Sequence, residues 1–332
     1  MICIVQMGLL FTVVPGAGRS ISGSGSDLAL EVKMDACRSL RRWVSVATAA
    51  FVVAGLQVVT AGPAVALPAT TVRTGFSEGG HSPGLTKWAE ALCPAGQVVV
   101  GGGGEVLGEP QRTTVLTAVE PHTPEGPKPY RFVVQARALA WKLNGPNEDW
   151  QLKAYALCVP AASMPGYRIE SYVSLPTTDR FMAHRAVCRN GLVAYSAGAT
   201  TSDTTAFGLQ LVRTSESLDI TRATARAFFT PVTKEWSLTA IAVCGPRKDG
   251  IVAAGQVGPG PLVGVSCPAG TTQQIHGAGG GLGLTDDGGT NWIRELRPGQ
   301  EASAPSSTRV RMSLQGPPGE AVAHTTCATK TP

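Results

Sequence analysis

A cysteine-centred pattern occurs three times along this chain and constrains its fold more than any other feature. "KWAEALCPAGQVVVGGGGEV" begins at Lys87, "MAHRAVCRNGLVAYSAGATT" at Met182 and "LVGVSCPAGTTQQIHGAGGGLG" at Leu262. Each has a short apolar run, a cysteine, a turn with glycine three residues on, a second apolar run and a Gly/Ala-rich step. The units also close alike. "DWQLKAYALCVP" ends at Pro160 and "EWSLTAIAVCGP" at Pro246, each with tryptophan eight residues before the cysteine and an acid before the tryptophan. The third ending, "EAVAHTTC", is degenerate, as terminal repeats often are. The repeats divide residues 67–163, 164–248 and 249–332 into three tandem units.

The local pattern is that of strands. In "WQLKAYALC" one face carries Trp150, Leu152, Ala154, Ala156 and Cys158; in "WSLTAIAVC" it carries Trp236, Leu238, Ala240, Ala242 and Cys244. This period-two alternation is the signature of β structure. The opposite faces carry Tyr155, Leu157, Ile241 and Val243, so these strands are expected to be buried on both sides toward their ends. No amphipathic helix pattern follows residue 66, and 40 glycines with 24 prolines punctuate the chain too often for a helical protein.

The N-terminal portion reads differently. From Met34, Arg38, Arg41 and Arg42 precede an apolar stretch over 43–59, and Ala64-Val65-Ala66 forms a small-x-small cleavage site. Residues 34–66 are therefore expected to be a secretory signal, with an uncleaved anchor as the alternative. Residues 1–33 read as a disordered extension or an untranslated stretch. Cleavage after Ala66 leaves Cys93, Cys158, Cys188, Cys244, Cys267 and Cys327, an even set that reads as disulfides in an exported protein. Many connectivities are open. Repetition favours Cys93–Cys158, Cys188–Cys244 and Cys267–Cys327, one bridge per unit, with bridges swapped between units as the main rival.

The glycine run Gly101–Gly104 invites a nucleotide reading. A phosphate-binding loop needs G-x-x-x-x-G-K-[ST] between a strand and a helix, and no Lys-Ser/Thr follows Gly104. Glycines recur at the equivalent place as Gly198 and Gly277–Gly281. A structural cause is expected: close backbone approach where three sheets crowd a shared axis.

On the C-P-A-G…G-G-G…W…A-x-C repeats, over roughly residues 72–332, the chain resembles exported proteins of high-GC actinobacteria that have no assigned activity. In organisation it also resembles the three-fold β-prism of the vitelline membrane outer layer protein family. That resemblance implies a secreted, non-enzymatic or carbohydrate-associated role and transfers no binding residue. The second unit departs most, with Arg189-Asn190 in place of the Pro-Ala turn.

Catalytic and metal motifs are weak. "TDDGGTNW" (285–292) fits an Asp-box turn through Thr285, Asp287, Gly289 and Trp292, but occurs once and lacks the ligand spacing of a calcium loop. His81, His122, His184, His276 and His324 form no metal-binding or catalytic motif, and no G-x-S-x-G occurs. Glu148/Asp149 and Asp286/Asp287 are adjacent acids in expected turns. No cofactor or metal is expected, and a net charge of +5 is too weak to imply nucleic acid. The strand before each closing strand carries arginines on one face: Arg131 and Arg137, with Gln135 between; Arg222 and Arg226; Arg309 and Arg311. Three such strands would make a basic band around the molecule, and guanidinium suits sulfate, phosphate and carboxylate. The bland alternative is a solvated sheet face whose charges deter edge pairing.

The expected fold is all-β: three tandem antiparallel β units with a pseudo-three-fold, β-prism-like arrangement and one disulfide per unit. The expected role is a secreted, non-catalytic binding or envelope-associated module for polysaccharide or an anionic cell-wall polymer, with no nucleic acid and no membrane after signal cleavage. A secreted hydrolase with an unrecognised site and a structural coat protein are the alternatives.

Overall fold

The computed structural model describes residues 68–329 except 79–84, 109–113, 140–149, 230, 269–272, 283–290, 302–303 and 314–319. The signal and upstream segments, His81, both pairs of adjacent acids and all of the Asp-box turn except its last two residues lie outside the described residues.

Strands dominate. The first unit contributes β1 (Thr71–Phe76), β2 (Thr86–Leu92), β3 (Gln97–Gly108), β4 (Thr114–His122), β5 (Arg131–Ala138) and β6 (Trp150–Pro160). The second contributes β7 (Arg168–Val173), β8 (Phe181–Val187), β9 (Leu192–Thr201), β10 (Phe207–Thr214), β11 (Ile220–Ala227) and β12 (Leu238–Pro246). The third contributes β13 (Val252–Pro259), β14 (Leu262–Ser266), β15 (Gln273–Leu282), β16 (Trp292–Glu301), β17 (Ala304–Ser313) and β18 (Glu320–Thr329).

These strands form three antiparallel six-stranded sheets, and no unit owns a sheet. Sheet I has the order β1-β6-β3-β16-β17-β14, sheet II β13-β18-β15-β10-β11-β8 and sheet III β2-β5-β4-β9-β12-β7. Each sheet joins the first, sixth and third strands of one unit to the fourth, fifth and second strands of another. The exchange closes on itself, which is the pseudo-three-fold arrangement expected from the repeats.

The disulfides are Cys93–Cys158, Cys188–Cys244 and Cys267–Cys327. Because each unit straddles two sheets, its bridge ties two sheets together: I to III, II to III and I to II. Each closed loop is worth about 4 kcal/mol on the chain-entropy account.

Periodicity places the core as expected. Trp150, Leu152, Ala154, Ala156 and Cys158, with Trp236, Leu238, Ala240, Ala242 and Cys244, all belong to the main buried cluster. A second buried cluster gathers Val98, Val100, Leu157, Val159, Val193, Tyr195 and Ile275 from β3, β6, β9 and β15. It explains the two-sided burial of the strand ends. A bulge at the same place in each unit feeds it: the ladders skip Val100, Tyr195 and His276. An extra residue switches the inward face of a strand, so all three skipped side chains are fully buried.

The glycines answer to two close approaches. Next to the bulges, Gly101, Ser196 and Gly277 meet at the shared axis. A Cβ on Gly101 would lie 2.7 Å from the His276 carbonyl oxygen, and one on Gly277 only 1.8 Å from that of Tyr195. Two residues on, at the seams where one unit's third strand meets another's fourth, a Cβ would run into a carbonyl oxygen. The distance is 1.8 Å from Gly103 to Leu296, 2.7 Å from Gly198 to Val119 and 2.8 Å from Gly279 to Val212. In the run that resembled a phosphate loop, Gly101 and Gly103 therefore serve inter-unit packing, while Gly102 and Gly104 make room for Phe132 and Val134 of their own unit.

Candidate anion-binding face

The three-fold arrangement supplies an internal comparison, because equivalent positions on the outer faces of the three sheets can be read against one another. One cross-strand row differs most in charge. On sheet II, Arg213 of β10 stands directly opposite Arg222 of β11, which stands directly opposite Arg185 of β8. The equivalent row on sheet III is Glu120, Val133, Glu90. On sheet I it is Arg297, Arg309, Gly264.

Like charges directly opposite in a sheet are destabilising, by up to about 1 kcal/mol per pair; the sheet I row neutralises its one such pair, Arg297 opposite Arg309, and the sheet III row has Val133 between its two acids. Arg309 Nε lies 2.6 Å and Arg311 Nε 3.4 Å from the two carboxylate oxygens of Glu295, a side chain only 4% exposed. Arg297 lies 3.8 Å from Glu105. On sheet III, Glu90 contacts Lys128 at 3.0 Å and Arg131 at 3.7 Å. The sheet II row has no carboxylate at ion-pair distance: among the described residues, Arg185, Arg213 and Arg222 make no ion pair, and the Glu216 charge reaches Arg213 only from farther away. The Nε of Arg213 is buried without a hydrogen-bond partner there. Burial, then the adjacent Arg222 charge, lowers the Arg213 pKa from its ordinary value, with the Glu216 charge opposing them.

Beside the row lies an open cavity of about 320 Å³, lined by Arg185, Arg222 and Thr224 and by the apolar Ala183, Leu211 and Ala223. His184 also lines it; burial, then the Arg185 charge, hold its pKa below the ordinary value. Arg185 and Arg222 are exposed and Arg213 is half-buried. Arg226, four residues beyond Arg222, is buried, and burial followed by the Arg180 charge lowers its pKa.

The arginines expected to form a continuous band are thus disposed unequally. Arg131 is 5% exposed and donates to Glu125 at 2.9 Å. Arg309 and Arg311 share Glu295, and Arg137 is half-buried on sheet III. Among the described residues, the sheet II face is where three guanidinium groups without an ion pair stand in register. Arg185 and Arg213 were not singled out from the sequence. Each sits at an outward position of a period-two strand, but only the pairing register shows that they flank Arg222.

The other candidates are accounted for by structure. His276 is fully buried. Its Nδ1 lies 3.3 Å from Thr70 Oγ1, and burial pushes its pKa down to about 3. Gln274 accepts from the Thr70 amide at 3.0 Å and donates to the Pro68 carbonyl at 2.7 Å, so the start of the described chain is held against the third unit. His324 bonds Thr214 at 3.0 Å, and burial, then Arg213, push its pKa down to about 4. His122 faces Glu120 at 3.5 Å. Trp292, which closes the Asp-box pattern, is buried and points its Nε1 at the Arg226 carbonyl at 3.4 Å.

An acid pair that the sequence did not announce, Glu105 and Glu295, stands directly opposite across the seam of sheet I. Tyr155 donates to Glu105 at 2.5 Å, and the nearby arginines hold the remaining oxygens. Among the described residues no group of three or more His, Cys, Asp and Glu is placed to hold a metal ion. In comparisons with protein-family models and with curated proteins, nothing matches the chain.

Proposed function

We propose that the protein is a secreted, non-catalytic binding module that holds an anionic polymer on the outer face of sheet II. The observation that carries this reading is the row Arg213–Arg222–Arg185, three guanidinium groups in direct cross-strand register without ion pairs among the described residues. A fold that keeps this repulsion on one face, while the equivalent row is neutralised on sheet I and broken by Val133 on sheet III, has a use for the field it creates. The three disulfides suit an oxidising, extracellular environment, and the signal-like segment 34–66 supplies a route to it.

The test is the bound fraction of the purified protein on anionic and neutral polysaccharides as salt is raised. Binding to the anionic polymers should weaken with salt, because exposed charges are screened beyond about 8 Å at physiological ionic strength. Arg222→Gln should lower affinity about tenfold, a change of about 1.4 kcal/mol. Arg137→Gln, the same change of charge on sheet III, should leave it unaltered. Equal losses in the two variants would restore a band around the whole molecule, and binding to no polymer would leave the structural coat protein.

A further inference from the structure

We infer that the ligand of the sheet II face is a linear acidic polysaccharide with one carboxylate on each pyranose ring, lying across the strands rather than along them. This rests on the polyanion reading above and specifies its chemistry.

Direction comes from register. Directly opposite residues in an antiparallel pair have Cα atoms about 4.5–5.5 Å apart, so Arg213, Arg222 and Arg185 offer a positive group at each strand step. Along β11 the outward positions are Arg222, Thr224 and Arg226, with an uncharged residue between the arginines and the second arginine buried. With a rise of about 3.4 Å per residue, those two arginines stand roughly 14 Å apart. Only the direction across the strands presents closely and evenly spaced charge. An extended pyranose chain advances by about one strand spacing per ring, so a chain with one carboxylate per ring meets one arginine per step.

Ring chemistry comes from the cavity. Its lining combines the two arginines and the Thr224 hydroxyl with the apolar side chains of Ala183 and Leu211. A bare polyphosphate has no apolar surface to place there. A pyranose ring has a C–H face for the apolar patch and hydroxyls for Thr224. At about 320 Å³ the cavity falls at the small end of the range for small-ligand sites. Guanidinium also matches carboxylate in a planar, two-bond fork. The other faces lack this combination: the sheet III row carries Glu120, Val133 and Glu90 and no arginine, and Glu295 occupies the arginines of sheet I.

The experiment is calorimetric titration of the full chain with three probes: an oligogalacturonate, its methyl ester, and a polyphosphate carrying the same number of charges. At physiological salt the oligogalacturonate should bind about tenfold tighter than the polyphosphate, and the methyl ester about tenfold weaker than the free acid. Ala183→Leu adds bulk at an exposed position of the cavity without changing charge. It should weaken the oligogalacturonate and leave the polyphosphate unchanged. Polyphosphate binding as tight as the oligogalacturonate would overturn the acidic-polysaccharide assignment while sparing the anionic face. Binding of no charged probe would overturn both.

Discussion

At the residue scale, glycine and histidine carry consequences that are easily separated from function. A Cβ on Gly103 would sit 1.8 Å from the Leu296 carbonyl oxygen, whereas one on Gly264 finds its nearest neighbour at 3.7 Å. Gly103→Ala should therefore push two units apart at their seam and cost about 3 kcal/mol, at the upper end for overpacking. Gly264→Ala should be neutral or stabilise by about 0.5 kcal/mol through the unfolded chain. Equal urea midpoints for the two variants would contradict the seam geometry. The buried histidines fix the acid response. His276 and His324 have folded pKa values of about 3 and about 4, below the 6.5 of a free histidine. A depressed base binds its proton in the unfolded chain first, so its contribution to stability is complete above pH 6.5 and is lost as pH falls toward the folded value. Between pH 6.5 and 5 each should withdraw about 2 kcal/mol. His276→Val, which installs the residue that the first unit uses at the same bulge, Val100, should shallow this limb by one proton in urea titrations at stepped pH.

Neutralisation belongs to the scale of strands and sheet faces. Glu295 is the residue that separates the arginines of sheet I from those of sheet II. Glu295→Gln should leave Arg309 and Arg311 without their shared carboxylate and cost about 1–2 kcal/mol of stability. It should also create a second, weaker anion site, seen as a rise from one to two oligogalacturonate equivalents per chain; an unchanged stoichiometry would show that register alone does not make a site. Much of this level was legible in the sequence. The disulfide pairing followed from repetition, because each bridge closes within one unit, and the inward faces of β6 and β12 followed from period two. The neighbours of β11 were not legible. Arg222 could be assigned to an outward face from its own strand, but Arg185 and Arg213 come from strands whose registers are set by hairpin geometry and bulges. Glu105 and Glu295 belong to different units and meet only because sheet I is shared.

At the scale of the whole molecule, the shared sheets govern how the protein must fold. The repeats predict three units around a shared axis, each with its own bridge, but not that the units exchange strands. In the structure, β8, β10 and β11 complete a sheet with the third unit, while β7, β9 and β12 complete another with the first. A unit taken alone is two half-sheets whose third and fourth strands end in open edges, and its glycines await carbonyls that only its neighbours provide. Exposed edges of that kind favour association with other chains over folding. Tandem repeats that contact only their neighbours can unfold piecemeal; a closed exchange has no terminal piece to lose. The intact protein should therefore lose sheet circular dichroism, tryptophan fluorescence and near-ultraviolet signal in one coincident transition with denaturant, and its largely non-local pairing should make refolding slow. The excised unit 164–248, oxidised to form Cys188–Cys244, should show the narrow amide dispersion of an unfolded chain. A dispersed spectrum from that fragment, or separate transitions in the whole protein, would mean that each unit carries its own fold and that the seams merely join them.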